Sequence, residues 1–261
     1  MATRLSPLLT IRHRGFALRF YDSSISLQLW LHPPQVPGPL EQLFRRYLRP
    51  GDTAVDVGAN VGLYTLIASV SVGPQGCVHA VEPDPRIAGY LLGNLRLNGA
   101  SNVRCHTVAL GEQAGSVRFS DQGQDDRNRV VDQGTGRDVP VVRLDSLPVD
   151  AAEIALLKID VEGYEKFVLD GAPTLLPRVA CVVIETWERH FAGYGYSCGD
   201  VHARLRAHGF RLFRMDAGAL VEVADGYVSH TCEDIVGIRD IDAFVARTGM
   251  QPGAQAPSFT R

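Results

Sequence analysis

The sequence has 261 residues, of which 45% are hydrophobic, and carries a formal net charge of −3 at pH 7. A chain of this length can bury one sizeable core, so we expect one main domain. The small negative charge supplies no overall field that would gather nucleic acid or an anionic membrane, so any such partner would need a local patch. The sequence has no run of 18 apolar residues that would indicate a membrane-spanning helix.

The first 38 residues contain an alternating segment, FALRFYDSSISLQLWL, with a turn-like DSS at positions 22–24. This pattern predicts a β-hairpin extension that packs beside the main domain. The following HPPQVPGP predicts a proline-stiffened connection. We therefore expect a hairpin extension over 1–38, a main domain over 39–248, and a flexible tail rich in Pro, Gly, Gln and Ser over 249–261.

From residue 52 onward, short β-branched segments alternate with segments of helical period, which is typical of a parallel sheet with helices on both faces. The predicted strands are TAVDV (53–57), CVHAVE (77–82), NVRCHTVA (102–109), EIALLKID (153–160) and VACVVIE (179–185). The predicted helices are residues 61–71, 84–98 and 163–176. A polar, glycine-rich segment at 123–138 predicts a mobile loop.

Between the first of these strands and the next helix lies the pattern D-x-G-x-N-x-G, formed by Asp56, Gly58, Asn60 and Gly62. Such a turn should place free backbone N–H groups at the carboxyl end of a parallel strand, where ligands of these sheets bind. Its glycines let a ligand approach the backbone closely. The spacing differs from the dinucleotide pattern G-x-G-x-x-G. Because Asp56 would repel a pyrophosphate, the turn predicts a ligand with a cationic amino-acid end.

Glu82 ends the next strand, 26 residues after Asp56. An acidic residue roughly 20 residues beyond a strand-to-helix glycine turn contacts ribose hydroxyls. The two carboxylates therefore suit a ligand with an adenosine at one end and an ammonium group at the other. S-adenosylmethionine is such a ligand, and we predict it as the cofactor.

The segments VDVGANVGLYTLIA, AVEPDP, NLRLNG and LLKIDVEGYEKFVLDGA, with VVIE beyond them, resemble the FkbM family of class I S-adenosylmethionine-dependent methyltransferases. The resemblance covers residues 40–240. It implies a Rossmann-like α/β fold with a mostly parallel seven-stranded sheet, usually with one antiparallel strand near the edge. It also implies O-methylation of a hydroxyl group on a sugar, a glycolipid or a polyketide-type natural product, and it places the loop 108–111 along the adenine.

The pattern and the resemblance together give the predicted cofactor-binding residues, which are Asp56, Gly58, Ala59, Asn60, Gly62, Glu82, Pro83, Ala109 and Asp160.

Methyl transfer to an alcohol requires alignment of the acceptor oxygen and removal of its proton. Asp160 follows the fourth strand and shares a strand face with Lys158, so it should reach the donor or the acceptor, unless it caps the next helix. Glu185 ends the fifth strand, and His190 in the following loop has a pKa suited to base catalysis, unless it is merely solvated. The predicted catalytic residues are Asp160, His190 and Glu185.

Asp160, Glu162 and Glu185 could instead gather a divalent metal such as magnesium, since oxygen ligands at strand ends suit hard cations. The spacing does not require an ion, so no metal ligand is predicted. Trp187, Tyr194 and Tyr196 either line the acceptor pocket or are packing residues.

Two other functions stay open. An NAD-dependent oxidoreductase shares the fold class, but the dinucleotide pattern and a proton relay are missing from the sequence. A binding module that holds the cofactor without turnover is compatible with the same residues.

The expected partner is a small-molecule or glycosylated acceptor. Association into a homo-oligomer is left open, and neither nucleic acid nor stable membrane insertion is expected. The short N-terminal apolar stretch lacks the features of a signal peptide, and the five scattered cysteines form no C-x-x-C pair, so we expect a cytoplasmic location with reduced thiols.

Overall fold

The computed structural model describes residues 9–21, 23–32, 34–120, 129–131, 136–216 and 218–253. The N-terminal part contains β1 (Thr10–His13), β2 (Phe16–Arg19), α1 (Ser24–Leu31) and α2 (Pro39–Tyr47). The central part contains β3 (Thr53–Val57), α3 (Leu63–Val72), β4 (Cys77–Val81), α4 (Pro85–Asn98), β5 (Val103–His106), β6 (Ala109–Leu110), β7 (Gly115–Ser120) and β8 (Gly136–Val142). The C-terminal part contains β9 (Ile154–Ile159), α5 (Glu165–Asp170), β10 (Val179–Thr186), α6 (Glu188–Ala192), α7 (Cys198–Ala207), β11 (Arg211–Asp216), β12 (Ala219–Glu222), β13 (Glu233–Ile238) and α8 (Ile241–Thr248).

The central sheet has the strand order β12-β11-β13-β10-β9-β3-β4-β5. Strands β5, β4, β3, β9 and β10 pair in parallel, and β13 is inserted antiparallel between β10 and β11. Every residue of β9 is buried, as expected for a parallel strand with helices on both faces. The predicted Rossmann-like class I methyltransferase fold, with a mainly parallel sheet and an N-terminal hairpin, is confirmed.

Helices cover the two faces of this sheet with separate apolar cores. Residues of α2, α3, α4 and α8 pack with the hairpin on one face. Residues of α5, α6 and α7 pack on the other face. Helix α5 ends at Asp170, well short of the predicted end at residue 176, because Gly171 and then Pro173 interrupt the helical pattern. Among the described helices, none is long and apolar enough to cross a membrane.

The sheet has eight strands among the described residues, one more than the seven predicted. The additional strand is β12, which pairs antiparallel with β11 at the edge. Gly218 has a φ of 86° in the connection, a left-handed conformation that permits a tight hairpin here. The N–H of Gly253 donates to the carbonyl of Leu220, so the beginning of the predicted tail is bound to this edge. Residues 254–261 lie outside the described part.

A second sheet, with the order β6-β8-β7, was not predicted. The segment 102–109, expected to form one strand, breaks after His106, and Ala109–Leu110 pairs with β8 instead. The predicted mobile loop overlaps this sheet, because residues 136–138 belong to β8 and Val130 forms a bridge with Phe119. Residues 121–128 and 132–135 are outside the described residues.

The N-terminal hairpin forms, but the predicted turn at positions 22–24 is wrong. The strands β1 and β2 meet at a turn in which Gly15 has a φ of 95°. The following segment SISLQLWL is helix α1, since the side chain of Ser23 accepts a hydrogen bond from the Ser26 N–H and caps the helix. The side chain of Asn98 binds both the N–H and the carbonyl of Ala17, which attaches the hairpin to α4.

Candidate active site

A cavity of about 1000 Å³, including open solvent at its mouth, lies at the carboxyl ends of β3, β4, β9 and β10. Asp56 and Glu82, which the sequence analysis assigns to the two ends of the cofactor, both line it. The other predicted cofactor residues that line it are Gly58, Ala59, Asn60, Pro83, Ala109 and Asp160. Gly62 does not line the cavity. It immediately precedes α3, whose first residue Leu63 does line it, and it has a φ of 95°.

The glycine turn is shaped by close approach of two backbone segments. Gly58 has a φ of 79°, and a Cβ atom built on it would lie 1.7 Å from the carbonyl oxygen of Asp160. Only glycine fits at such a position. Asn60 also adopts a left-handed conformation, with a φ of 49°, which asparagine tolerates better than most residues. The D-x-G-x-N-x-G pattern therefore brings the end of β3 against the end of β9.

The expectation of free backbone N–H groups in this turn is wrong. The N–H groups of Gly58 and Ala59 both donate to the carbonyl of Val81, and that of Gly62 donates to Ala59. The N–H of Asn60 donates to Glu82, and that of Val61 to the side chain of Asn60. The turn packs against the end of β4, and each of its backbone N–H groups already donates to an acceptor in the protein. It forms a cavity wall and offers no donor cradle for a pyrophosphate.

Glu82 joins the turn to the start of α4. Its Oε2 atom accepts from the Asn60 N–H at 3.0 Å, and its Oε1 atom accepts from the Asp84 N–H at 2.9 Å. Burial raises the pKa of Glu82 to about 8, although these two hydrogen bonds act in the opposite direction. Each carboxyl oxygen can accept a second hydrogen bond, so Glu82 can still receive ribose hydroxyls.

Asp56 is 2% exposed, and its Oδ2 atom accepts from the hydroxyl of Thr65 at 2.6 Å. Its Oδ1 atom lies 3.7 Å from Nζ of Lys158 and has no hydrogen-bond partner within the described residues. Burial raises the pKa of Asp56, and the charge of Lys158 opposes this shift. A buried carboxylate oxygen that lacks a donor, in a residue that lines the cavity, fits the ammonium group of S-adenosylmethionine.

Lys158 is a site residue that the sequence analysis did not select. Its Nζ atom lies 3.0 Å from Oδ2 of Asp160 and 5.5 Å from the centre of the Tyr64 ring. Burial alone would lower the pKa of Lys158, but the charges of Asp160 and Asp56 outweigh burial and raise it. The signal was present in the sequence, because Lys158 and Asp160 share one face of a strand by period two.

Asp160 begins a strained bend between β9 and α5. Glu162 has a φ of 56°, and the bend is held by Oε1 of Glu165, which accepts from the N–H groups of Val161 and Gly163. Tyr164 precedes α5, and in the described structure no side chain caps this helix. The alternative role of Asp160 as a helix cap is therefore not observed, and its carboxylate faces Lys158 at the cavity.

Glu185 also lines the cavity, at the end of β10. Its Oε1 atom accepts a hydrogen bond from the thiol of Cys232 at 2.8 Å. Burial and the nearby charges of Asp160 and Glu162 raise the pKa of Glu185 to about 9, in spite of that hydrogen bond. Glu185 therefore carries a proton at neutral pH, which suits it to donate a hydrogen bond and not to act as the base.

His190 is not part of the cavity wall formed by the described residues. Its ring packs on Trp187 with 4.4 Å between centroids, and Nδ1 lies 3.6 Å from Oε2 of Glu162, which does line the cavity. Burial and the charges of Arg129 and Arg189 lower the pKa of His190. The lowered pKa favours the neutral imidazole, whose Nδ1 atom lies beside Glu162.

Three potential metal ligands come together at this edge. Single ligand atoms of Glu162, Glu185 and His190 all lie within 4.8 Å of one another. The predicted alternative named Asp160 in place of His190, but Asp160 is turned toward Lys158. Carboxylates also gather at sheet edges of this kind without an ion, so the grouping alone assigns no metal.

Trp187, Tyr194 and Tyr196, for which the sequence left an acceptor-pocket role and a packing role open, do not line the cavity and have supporting positions. The hydroxyl of Tyr196 donates to the carbonyl of Gly163, and the hydroxyl of Tyr194 donates to that of Val130. Trp187 donates to the carbonyl of His230. Among the described residues, the aromatic rings that line the cavity belong to Tyr64, Phe119 and Tyr164. Phe119 was missed because it belongs to the unpredicted second sheet.

Comparison with known proteins gives one consistent family. The model of the methyltransferase FkbM domain matches residues 56–212, more than half of the chain. The chain is 31% identical over 199 residues to the 31-O-demethyl-FK506 methyltransferase FkbM of Streptomyces tacrolimicus. This alignment covers 62% of the present chain and 74% of the relative. It is also 31% identical over 171 residues to methyltransferase sdnD of Sordaria araneosa, in an alignment that covers 51% of this chain and 66% of that relative.

A solved structure with the same architecture is a putative rRNA-methylase from Clostridium thermocellum, with a TM-score of 0.51 and 11% identity, covering 84% of this chain and 100% of that one. At this identity the similarity concerns the fold alone. The family match, the curated relatives and the cavity at the glycine turn agree, and the chain belongs to the FkbM family of S-adenosylmethionine-dependent methyltransferases.

Proposed function

We propose that the protein is an O-methyltransferase that acts on a hydroxyl group of a sugar, a glycolipid or a polyketide-type natural product. The observation that carries this proposal is the set of acidic side chains on the cavity wall beside the cofactor turn, namely Asp160, Glu162 and Glu185. Carboxyl groups that differ in protonation can bind a hydroxyl group and accept its proton.

The cavity divides into a cofactor end and an acceptor end. Asp56 would hold the ammonium group through its Oδ1 atom, and Glu82 would hold the ribose hydroxyls. S-adenosylmethionine bound there supplies a methyl group on a positively charged sulfonium. Pro83 and Ala109 lie on the same wall and would contact the adenine.

At the acceptor end, the residues have separate tasks. Asp160, held by Lys158, accepts the hydrogen bond of the acceptor hydroxyl and takes its proton. Glu185, protonated at neutral pH, donates a hydrogen bond that orients the acceptor. The neutral His190 lies beside Glu162 and can receive a proton from the cavity through it. Fixing an acceptor in this way supplies alignment, which is the main requirement of an in-line displacement.

The acceptor class is supported by the apolar part of the cavity lining and by a relative. Leu110, Phe119 and Val130 add apolar side chains to the lining of the cavity that also contains the carboxyl groups. An acceptor with an apolar body and a ring hydroxyl would match both kinds of lining. The relative from Streptomyces tacrolimicus is named as a methyltransferase for 31-O-demethyl-FK506, which supports an oxygen acceptor here.

The two alternative functions have less support. An NAD-dependent oxidoreductase would need backbone donors for a pyrophosphate. The N–H groups from Gly58 to Gly62 all donate to acceptors within the protein, in the turn itself or at the end of β4. A binding module without turnover would not need the further carboxyl groups of Glu162 and Glu185 on the cavity wall. All five cysteines are free thiols, which supports a cytoplasmic site of action.

Two measurements test the proposal. Thermal unfolding with S-adenosylmethionine, S-adenosylhomocysteine or NAD should show stabilisation of about 2.7 kcal/mol by the first two at a hundredfold excess over Kd. Transfer of a labelled methyl group should then be followed over hydroxylated acceptors and their amino and thiol analogues. We expect product only with oxygen acceptors. Stabilisation by NAD alone, or transfer confined to amines or thiols, would overturn the proposal.

A further inference from the structure

Helix α1 exposes three large apolar side chains and buries a polar one. Leu27, Trp30 and Leu31 have the spacing i, i+3, i+4 and therefore share one face, on which they are 47%, 58% and 52% exposed. Ser26 is 2% exposed, and its Oγ atom accepts from the hydroxyl of Ser23. Leu29 packs against the core, but a surface helix normally leaves few large apolar side chains in solvent, and α1 leaves three.

The other exposed apolar side chains lie around the same part of the molecule, here called the N-terminal unit and defined as residues 9–38. Within the described residues, the large exposed hydrophobics are Leu9, Leu27, Trp30, Leu31, Val36, Val70 and Leu97. Val70 lies beside the hairpin turn, 3.7 Å from a Cβ built on Gly15, and Leu97 precedes Asn98, which binds Ala17. Exposed apolar surface of several hundred Å² marks an interaction site.

The N-terminal unit also differs in charge from the rest of the chain. Residues 9–38 contain three arginines and one aspartate, a formal charge of +2, which leaves −5 on the remaining residues. Arg12 is exposed on β1, and the guanidinium of Arg14 donates to the carbonyl of Pro34, close to the exposed Val36. Arginines beside an exposed face of Trp and Leu are the composition of elements that lie in the interface of an anionic bilayer.

A second copy of the chain fits the exposed apolar surface of the N-terminal unit less well than a lipid bilayer does. A two-fold symmetric contact would place the same surface of both copies together and so oppose two units that each carry a formal charge of +2. A helix of eight residues is also far too short to span a bilayer, so insertion would be limited to the headgroup region.

We propose that the N-terminal unit docks the protein on the surface of an anionic lipid bilayer, with Leu27, Trp30 and Leu31 inserted at the headgroup level and Arg12 near the lipid phosphates. The inference does not depend on the identity of the methyl acceptor.

The unit is mounted firmly enough to transmit such docking to the catalytic domain. Asn94 is fully buried, and its Oδ1 atom accepts from the N–H of Arg19 in β2. Its Nδ2 atom donates to the carbonyl of Val61 in the cofactor turn. One side chain therefore connects the N-terminal unit to the glycine turn, whose residues Gly58, Ala59 and Asn60 line the cavity. Docking would hold the active site at a fixed height above the lipid.

The test is sedimentation with vesicles of phosphatidylcholine alone or with phosphatidylglycerol in a one-to-one mixture. We expect the protein to sediment with the anionic vesicles, more weakly with the neutral ones, and less in high salt. The triple variant Leu27→Ser/Trp30→Ser/Leu31→Ser should bind at least tenfold more weakly. Arg12→Glu should weaken binding more than Arg104→Glu, a charge reversal of equal size at an exposed site on β5.

Two further readouts keep the test decisive. The dissociation constant for S-adenosylmethionine should be the same in the triple variant and the wild type, which shows that the variant is folded. In a Trp187→Phe background Trp30 is the remaining tryptophan, and its emission should shift to the blue when anionic vesicles are added. The proposal is overturned if the wild type stays in the supernatant at low salt, or if the triple variant sediments equally well. A lipid-free dimer that the triple variant dissociates would identify a second copy as the occupant and would also overturn it.

Discussion

The ammonium group of Lys158 lies 3.0 Å from a carboxylate oxygen of Asp160, and the lysine is 2% exposed. Asp56, whose Oδ1 atom lies 3.7 Å away on the other side, is equally buried. One cation thus holds the carboxylate assigned to the cofactor and the carboxylate assigned to the acceptor. Breaking a buried ion pair by removing one partner leaves an uncompensated charge, which is costly.

Replacing Lys158 by methionine should therefore damage both stability and function. We expect the free energy of unfolding to fall by about 3–5 kcal/mol, since Asp56 loses its buried partner and its pKa rises further. Urea unfolding measures the first effect, and calorimetric binding of S-adenosylmethionine measures the second. Lys158→Arg keeps the charge and should retain more of both. Equal loss in the two variants would mean that shape, and not charge, matters at this position.

Gly58 should tolerate alanine far less well than a glycine in an open turn. A Cβ on Gly58 would lie 1.7 Å from the Asp160 carbonyl oxygen, so the ends of β3 and β9 would have to separate. Gly226 has a similar φ of 75° but open space around it, and its change to alanine should cost only about 1–2 kcal/mol of conformational strain. Thermal unfolding and cofactor binding should show a clearly larger loss for Gly58→Ala. Similar losses would contradict the close approach.

Gly58 and Lys158 show which features of the site could be predicted from the sequence and which could not. The pattern around Gly58 predicted a strand-to-helix turn at a ligand site, because a glycine there has a local physical cause. The N–H groups of the turn donate to Val81 and Glu82, which belong to the neighbouring strand and its end. Because this depends on how the strands pair, no local sequence pattern indicates it. Lys158 was visible on the same strand face as Asp160, but its partnership with Asp56 depends on the parallel pairing of β3 with β9.

In the N-terminal unit the sequence pattern predicted the wrong secondary structure for α1. Alternation of apolar and polar residues predicted two strands with a turn at positions 22–24, but the cap at Ser23 favours a helix. The pattern was misleading because Leu27, Trp30 and Leu31 of α1 are exposed, and periodicity arguments assume that apolar residues face the core. Phe119 was likewise out of reach, since its place on the cavity wall depends on a sheet closed by residues far apart in sequence.

Protonation of Glu82 should couple stability and cofactor binding to pH. Its pKa is raised to about 8 in the folded protein and is about 4.3 when unfolded, so the folded state holds the additional proton between these values. Stability of the ligand-free protein should therefore fall as pH rises across this window. Affinity for S-adenosylmethionine should rise over the same range, because the carboxylate is the better acceptor for ribose hydroxyls.

Comparison with Glu82→Gln isolates this effect from other titrating groups. The variant should lose the part of the pH dependence that Glu82 contributes, both in unfolding free energy and in calorimetric affinity. If wild type and variant respond to pH in parallel between pH 5 and 9, Glu82 is not the group responsible.

The protonated state of Glu185 separates its role from that of Asp160. Because its pKa is raised to about 9, a neutral glutamine mimics the form present at pH 7, and Glu185→Gln should keep activity within about tenfold of wild type. Asp160→Asn removes the proposed base and should lower kcat by about 10²–10⁴-fold. Wild-type activity should also decline above pH 9, where Glu185 ionises beside Asp160 and Glu162, whereas Glu185→Gln should not show that decline. Initial rates of labelled methyl transfer from pH 6 to 10 measure all three effects. A Glu185→Gln enzyme as inactive as Asp160→Asn at pH 7 would make Glu185 the base instead.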